Sequence, residues 1–110
     1  INIHSKIQID EIKPDDGWCD DSNHEFYNQF IQFPFSYSAE HLYRDDNVYN
    51  IVCTLDHNQN PTVSGLGSAI FIHVASDSYK ATEGCVALKQ SDLLTILEKV
   101  DLNTEVIIGD

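Results

Sequence analysis

Apolar residues recur along this chain with two different periods. From Val48 to Leu55, Tyr49, Ile51, Cys53 and Leu55 fall on one face, which predicts a strand. Ala69-Ile70-Phe71-Ile72-His73-Val74 is apolar except for one histidine, the pattern of a strand buried on both sides. Gly84-Cys85-Val86-Ala87-Leu88 reads as short and extended. Leu93, Leu94, Ile96, Leu97 and Val100 repeat at helical spacing, so a helix is predicted over Asp92–Val100. Ser91 is its expected cap, and Asp92 suits the positive end of the helix dipole. Alternation over Lys6–Ile12 predicts an edge strand ending at Pro14, and Val106-Ile107-Ile108 a last strand. Asp15–Asn23 is crowded with turn formers and reads as a long surface loop anchored by Trp18. Tyr27–Tyr37 is aromatic-rich, broken at Pro34, and is assigned to core or cleft wall. Ser38–Tyr43 is expected as a short helical turn, with turns at Arg44–Asn47 and Asp56–Pro61. The expected fold is mainly β, with one C-terminal amphipathic helix packed on the sheet.

Length and composition narrow this picture. A chain of 110 residues is expected to form one domain, 1–110, with one real core. The net charge of −12, from 18 acidic and 6 basic side chains, argues against nucleic acid, whose phosphates need a basic surface. An anionic membrane surface is disfavoured for the same reason, and no apolar run approaches the ~18 residues of a membrane span. The surface reads as soluble and self-repelling. Three cysteines, Cys19, Cys53 and Cys85, are too few for a disulfide framework. In an oxidising compartment Cys19–Cys53 is the only pairing that spares Cys85.

Several motifs invite a sharper reading that their spacing does not support. The acids around Gly17 do not follow the alternate-oxygen order of a calcium loop. Gly65-Leu66-Gly67 precedes a strand rather than a helix and lacks a lysine, so it is a turn and not a phosphate cradle. Cys53 and His57 could form one half of a zinc site, but no second pair accompanies them. No metal and no cofactor is expected.

The remaining constellation is a thiol and an imidazole. His73 ends the buried strand, and Cys85 lies beyond a polar loop, Ser76–Glu83, directly after Gly84. A free thiol is mostly protonated at neutral pH. A neighbouring imidazole lowers its pKa or accepts its proton, and either produces a strong nucleophile. Gly84 lets the backbone N–H groups of Gly84 and Cys85 face a developing oxyanion. Residue types alone leave an inert core cysteine and an inert core histidine as the commoner reading.

Longer motifs change that weight. Gly67-Ser68-Ala69-Ile70-Phe71-Ile72-His73-Val74, then Thr82-Glu83-Gly84-Cys85-Val86-Ala87-Leu88, then the helical stripe, resemble the core of the L,D-transpeptidase (YkuD-type) catalytic domains. Asp16-Gly17-Trp18-Cys19-Asp20, Tyr27-Asn28, and Ser38-Ala39-Glu40 with Leu42, Arg44 and Asp46 are similar to a small subgroup of that family. The resemblance implies an L,D-transpeptidase-like β-sandwich or mixed sheet. Members usually carry further strands before this region. Together with an Ile at position 1 and the lack of any Met, this leads to the expectation that 1–110 is the C-terminal two-thirds of the domain, without its N-terminal strands.

The resemblance also implies a reaction. Cys85 would be the nucleophile, His73 the base and Gly84 part of the oxyanion site. The partners would be peptidoglycan stem peptides, joined through a thioester, in the periplasm or outside the cell at the wall. Carbapenems would acylate the same sulfur. Thr82, Glu83, Trp18 and Arg44 are the candidate substrate contacts. Two departures from the family pattern matter. Glu83 stands where many members have histidine, and Val86-Ala87 supplies no arginine, a role Arg44 is expected to take from another loop. Two alternatives stay open: a hydrolase of L,D-carboxypeptidase or amidase type using the same pair, and a catalytically lapsed wall-binding module. A papain-type peptidase fits less well, since its cysteine opens a helix and its histidine comes much later.

Overall fold

The computed structural model describes residues 3–76, 82 and 84–108. Six short strands and one helix follow in chain order: β1 Asp16–Cys19, β2 Phe30–Gln32, β3 Ala39–His41, β4 Val52–Thr54, β5 Phe71–Val74, β6 Val86–Leu88 and α1 Gln90–Leu97. The strands form two sheets. One, ordered β2-β1-β3, is wholly antiparallel; the other, β4-β5-β6, pairs β5 antiparallel to β4 and parallel to β6. The fold is mainly β with a single helix near the C-terminal end of the described chain, as the apolar pattern predicts.

Strand β5 explains the layering. Successive side chains on a strand point to opposite faces. Phe71 packs with Trp18, Leu42, Tyr49 and Ala69, while Ile72 and Val74 pack with Ile51, Leu93 and Leu97. One face of β5 therefore meets the first sheet and the other meets α1. All four residues of β5 are buried, which is why the strand reads as an uninterrupted apolar run. Trp18 and Phe71 join the two sheets edge to face, with ring centroids 5.2 Å apart.

Several expected elements are differently placed. Asp16-Gly17-Trp18-Cys19 is not a surface loop but the buried central strand of the first sheet. Its polar start is satisfied because the Asp16 carboxylate accepts the Lys13 N–H at 2.9 Å. Gly17 is required by crowding: a Cβ there would sit 2.5 Å from the Phe33 ring. Ser38–Tyr43 is no helical turn, since Ala39–His41 pairs with β1 as a strand. No strand forms among the described residues of 3–14, nor over Val106–Ile108, whose side chains are exposed. The helix starts earlier than its apolar stripe, with Lys89 as N-cap and Ser91 inside it, because the Leu93 N–H already bonds the Lys89 carbonyl at 3.0 Å. It ends at Leu97 rather than Val100; Leu93 and Leu97 are its buried residues. In the aromatic stretch Tyr27 is buried, whereas Phe26, Phe30 and Tyr37 are exposed. All three cysteines are free, so Cys19 and Cys53 do not pair. No helix among the described residues is long and apolar enough to cross a membrane.

Candidate functional site

The parallel register of β5 and β6 sets the relative placement of the two candidate reactive residues. His73 lies opposite Ala87, and Ile72 opposite Val86. Continuing that register by one residue sets Cys85 opposite Phe71. Cys85 and His73 thus belong to the same face of neighbouring strands, diagonal neighbours with Cα atoms ~8 Å apart from strand rise and spacing. Both line one open cleft of about 1410 Å³. Its other walls include Glu40 of β3, Arg44, Tyr49 and Thr82.

Local bonding fixes the state of each group. His73 Nδ1 lies 2.8 Å from its neighbour's carbonyl, that of Val74. A carbonyl only accepts, so Nδ1 carries a proton, and Nε2 is the nitrogen left to act as a base. The imidazole plane is further held by the Tyr49 ring, edge-on at 5.4 Å. Cys85 is bonded on both sides: its S–H donates to the Ala69 carbonyl at 3.1 Å, and its sulfur accepts the Phe71 N–H at 3.4 Å. Burial pushes the thiol pKa above its ordinary value; the Phe71 N–H opposes this and the Glu40 charge adds to it. The resting sulfur is a thiol. This differs from the expectation that the imidazole depresses the thiol pKa, and desolvation is the physical reason. Of the two routes to a nucleophile, proton acceptance by the base remains.

Gly84 precedes Cys85 with φ +93°, a conformation that side chains rarely adopt, and a Cβ there would also press on Ile70 at 3.0 Å. Thr82 donates its hydroxyl to the Cys85 carbonyl at 2.5 Å, tying the loop end to the strand. Glu83 lies outside the described residues. Arg44 lines the cleft, its guanidinium over the Tyr49 ring at 5.0 Å to the centroid. It bonds both oxygens of Asp46, and its Nη1 sits 3.8 Å from Glu40. These contacts raise the Arg44 pKa and lower that of Asp46. Trp18 is not a cleft residue: it is buried against Phe71, and its indole N–H donates to the Asn28 side chain at 3.0 Å.

Three residues that spacing did not single out shape the site. Tyr49 donates its hydroxyl to Glu40 while its ring borders His73. Burial first, then the Glu40 hydrogen bond, holds the phenol strongly protonated. Glu40 comes from the other sheet, so no local motif links it to Cys85. Asn28, with φ +59°, sits at the junction of four segments: its side-chain oxygen accepts from Trp18 and the Ala69 N–H, and its amide donates to the carbonyls of His57 and Asn58. The sequence signals for Asn28 are the Tyr27-Asn28 motif likeness and the tolerance of asparagine for left-handed backbone. His57 contributes structurally, its Nε2 lying 3.0 Å from the Leu66 carbonyl.

A thiol and an imidazole share one open cleft, with the positive-φ Gly84 directly before the thiol. No curated protein and no solved structure matches the chain. A family model of the L,D-transpeptidase catalytic domain, YkuD, matches residues 3–108, which takes in both sheets, the helix and the whole cleft. The chain therefore belongs to the YkuD family of L,D-transpeptidase catalytic domains.

Proposed function

We propose that this protein is a cysteine acyltransferase acting on peptidoglycan stem peptides outside the cytoplasmic membrane. The observation that supports the reading is that His73 of β5 and Cys85, directly before β6, line the same cleft. Family membership supports a peptidoglycan substrate.

In this reading Nε2 of His73 takes the Cys85 proton as sulfur attacks the stem-peptide carbonyl. The C–S bond forms, and the carbonyl oxygen becomes an oxyanion facing the Gly84 and Cys85 N–H groups. Each such donor contributes roughly 3 kcal/mol in the transition state. Collapse breaks the C–N bond, and the leaving amine takes the proton from the imidazolium. The thioester then passes to an amine of a second stem, and the thiol returns. No metal takes part in these steps. Arg44 offers the cleft's guanidinium for the leaving group's carboxylate, in place of the arginine missing after Cys85.

Intact mass after carbapenem treatment tests the site: one adduct is expected on the parent and none on Cys85→Ala. An adduct on the variant, or none on either protein, overturns the reading. Muropeptide products separate the rivals, with new dimers for transfer and only shortened stems for hydrolysis.

A further inference from the structure

The cleft carries more charge than the thiol reaction uses. Among the described residues, three carboxylates line it, those of Asp20, Glu40 and Asp46, with the cations Arg44 and Lys89. Asp46 is engaged on both oxygens and Asp20 on one. Asp46 receives two hydrogen bonds from Arg44 and faces the Val48 N–H. Asp20 accepts the Ser38 hydroxyl at 2.6 Å.

Glu40 differs. Tyr49 donates to its Oε1, and Arg44 approaches that same oxygen at 3.8 Å. Among the described residues, Oε2 receives no hydrogen bond. The side chain remains 29% exposed, enough to meet a solute. Its backbone is fixed by β3 pairing, with Glu40 opposite Trp18. Its charge also reaches the sulfur, since it is one of the causes that keep the Cys85 thiol protonated. Here a carboxylate with one open oxygen stands in the same cleft as the nucleophile, held by a tyrosine that also borders the base.

We propose that Glu40 selects the acyl acceptor: its open carboxylate oxygen receives the primary ammonium of the incoming amine and holds it beside the acyl group on Cys85. The assignment rests on the thioester reading above and deepens it. Bound at Glu40, the ammonium sheds one proton to Nε2 of His73, and the freed lone pair attacks the thioester carbonyl. The C–N bond forms and the C–S bond breaks. The imidazolium proton passes to the departing sulfur, and the second amine proton leaves to water. A water molecule as acceptor brings no positive charge, so it gains nothing from Glu40. The carboxylate thereby favours transfer over hydrolysis.

The test compares two acceptors on the tetrapeptide-acylated protein: a diamino-acid amine, charged at neutral pH, and hydroxylamine, which is uncharged there. Product is read by mass. In Glu40→Gln, the KM for the ammonium acceptor relative to that for hydroxylamine is expected to rise roughly tenfold, the scale of one charge-assisted hydrogen bond. An unchanged ratio overturns the proposal. In the parent protein, raising salt from about 50 to about 500 mM should raise the ammonium KM and leave the hydroxylamine KM level. A salt-insensitive ammonium KM also overturns it, with no variant needed. Failure of the parent to form any adduct on Cys85 is a different result, since it removes the thioester reading itself.

Discussion

The two sheets are built differently and contribute differently. The β2-β1-β3 sheet is antiparallel throughout and comes from one stretch of chain, residues 16–41. The β4-β5-β6 sheet gathers strands from residues 52–88 and contains the parallel pair. Of the two candidate reactive residues, His73 lies on β5 of this second sheet and Cys85 directly precedes its β6. The first sends a single carboxylate, Glu40, into the cleft, and supports the floor through Trp18 against Phe71. Chemistry is therefore seated on one sheet and its electrostatic setting is supplied by the other. The difference teaches that a reactive pair can be positioned by one short register while its ionisation answers to a distant segment.

The largest test of this division is the base. His73→Gln should slow acylation of Cys85 by roughly 10²–10⁴-fold, the usual range for a positioned base. Stopped-flow carbapenem acylation measures it, and a loss under threefold would mean that the second sheet does not hold the proton acceptor.

The joint between the sheets comes next. Phe71 is fully buried and touches both Trp18 and Tyr49. Phe71→Ala should cost about 3–5 kcal/mol in urea unfolding. A cost below about 1 kcal/mol would show that the sheets stand independently.

Tyr49→Phe keeps the ring at His73 and removes the hydroxyl bond to Glu40. A loss of about 1–2 kcal/mol is expected by the same unfolding measurement, as for a hydrogen bond to a charged partner that is only partly buried.

The smallest effect is the most direct readout of one sheet acting on the other. The pH profile of Cys85 alkylation should have its midpoint above the ordinary thiol value of 9.0, because burial favours the neutral form. Glu40→Gln should lower that midpoint but leave it above the ordinary value, since desolvation is the larger cause. A midpoint that does not move breaks the link between the sheets. The same signs bear on stability. Cys19, Cys53, Cys85 and Tyr49 all have raised pKa values, with burial as the first cause. The folded state thus holds more protons than the unfolded chain once pH passes about 9. Stability present below that point is lost as pH climbs toward the folded values, so the urea midpoint should fall between pH 8 and pH 10.

Legibility from sequence followed burial. Strand β5 and helix α1 announced themselves because each buries a regular apolar set, on two faces for β5 and along a stripe for α1. Strand β1 was concealed: Asp-Gly is a turn signature, and only the tertiary partners Lys13 and Phe33 explain an acid and a glycine in a central strand. The alternation at Lys6–Ile12 misled for the opposite reason, since a periodic pattern without a pairing partner makes no ladder. Cys85 and His73 could be named from motif likeness, but their adjacency depends on the parallel register, which residue order does not encode. The bond between Tyr49 and Glu40 is not legible because their segments meet only in the fold, and Trp18 serves the core rather than the cleft.

The hydrogen bond from Cys85 to the Ala69 carbonyl has a consequence for the lifetime of the enzyme. Peroxide and disulfide exchange both consume thiolate, and their rates follow the fraction of sulfur that is ionised. A sulfur that burial keeps protonated, with its S–H directed at a backbone carbonyl, offers these reagents little to attack. Oxidation to sulfenic acid should accordingly be slow in surroundings that would spoil a pre-ionised cysteine, while a bound acyl carbonyl can still draw the proton away through the imidazole.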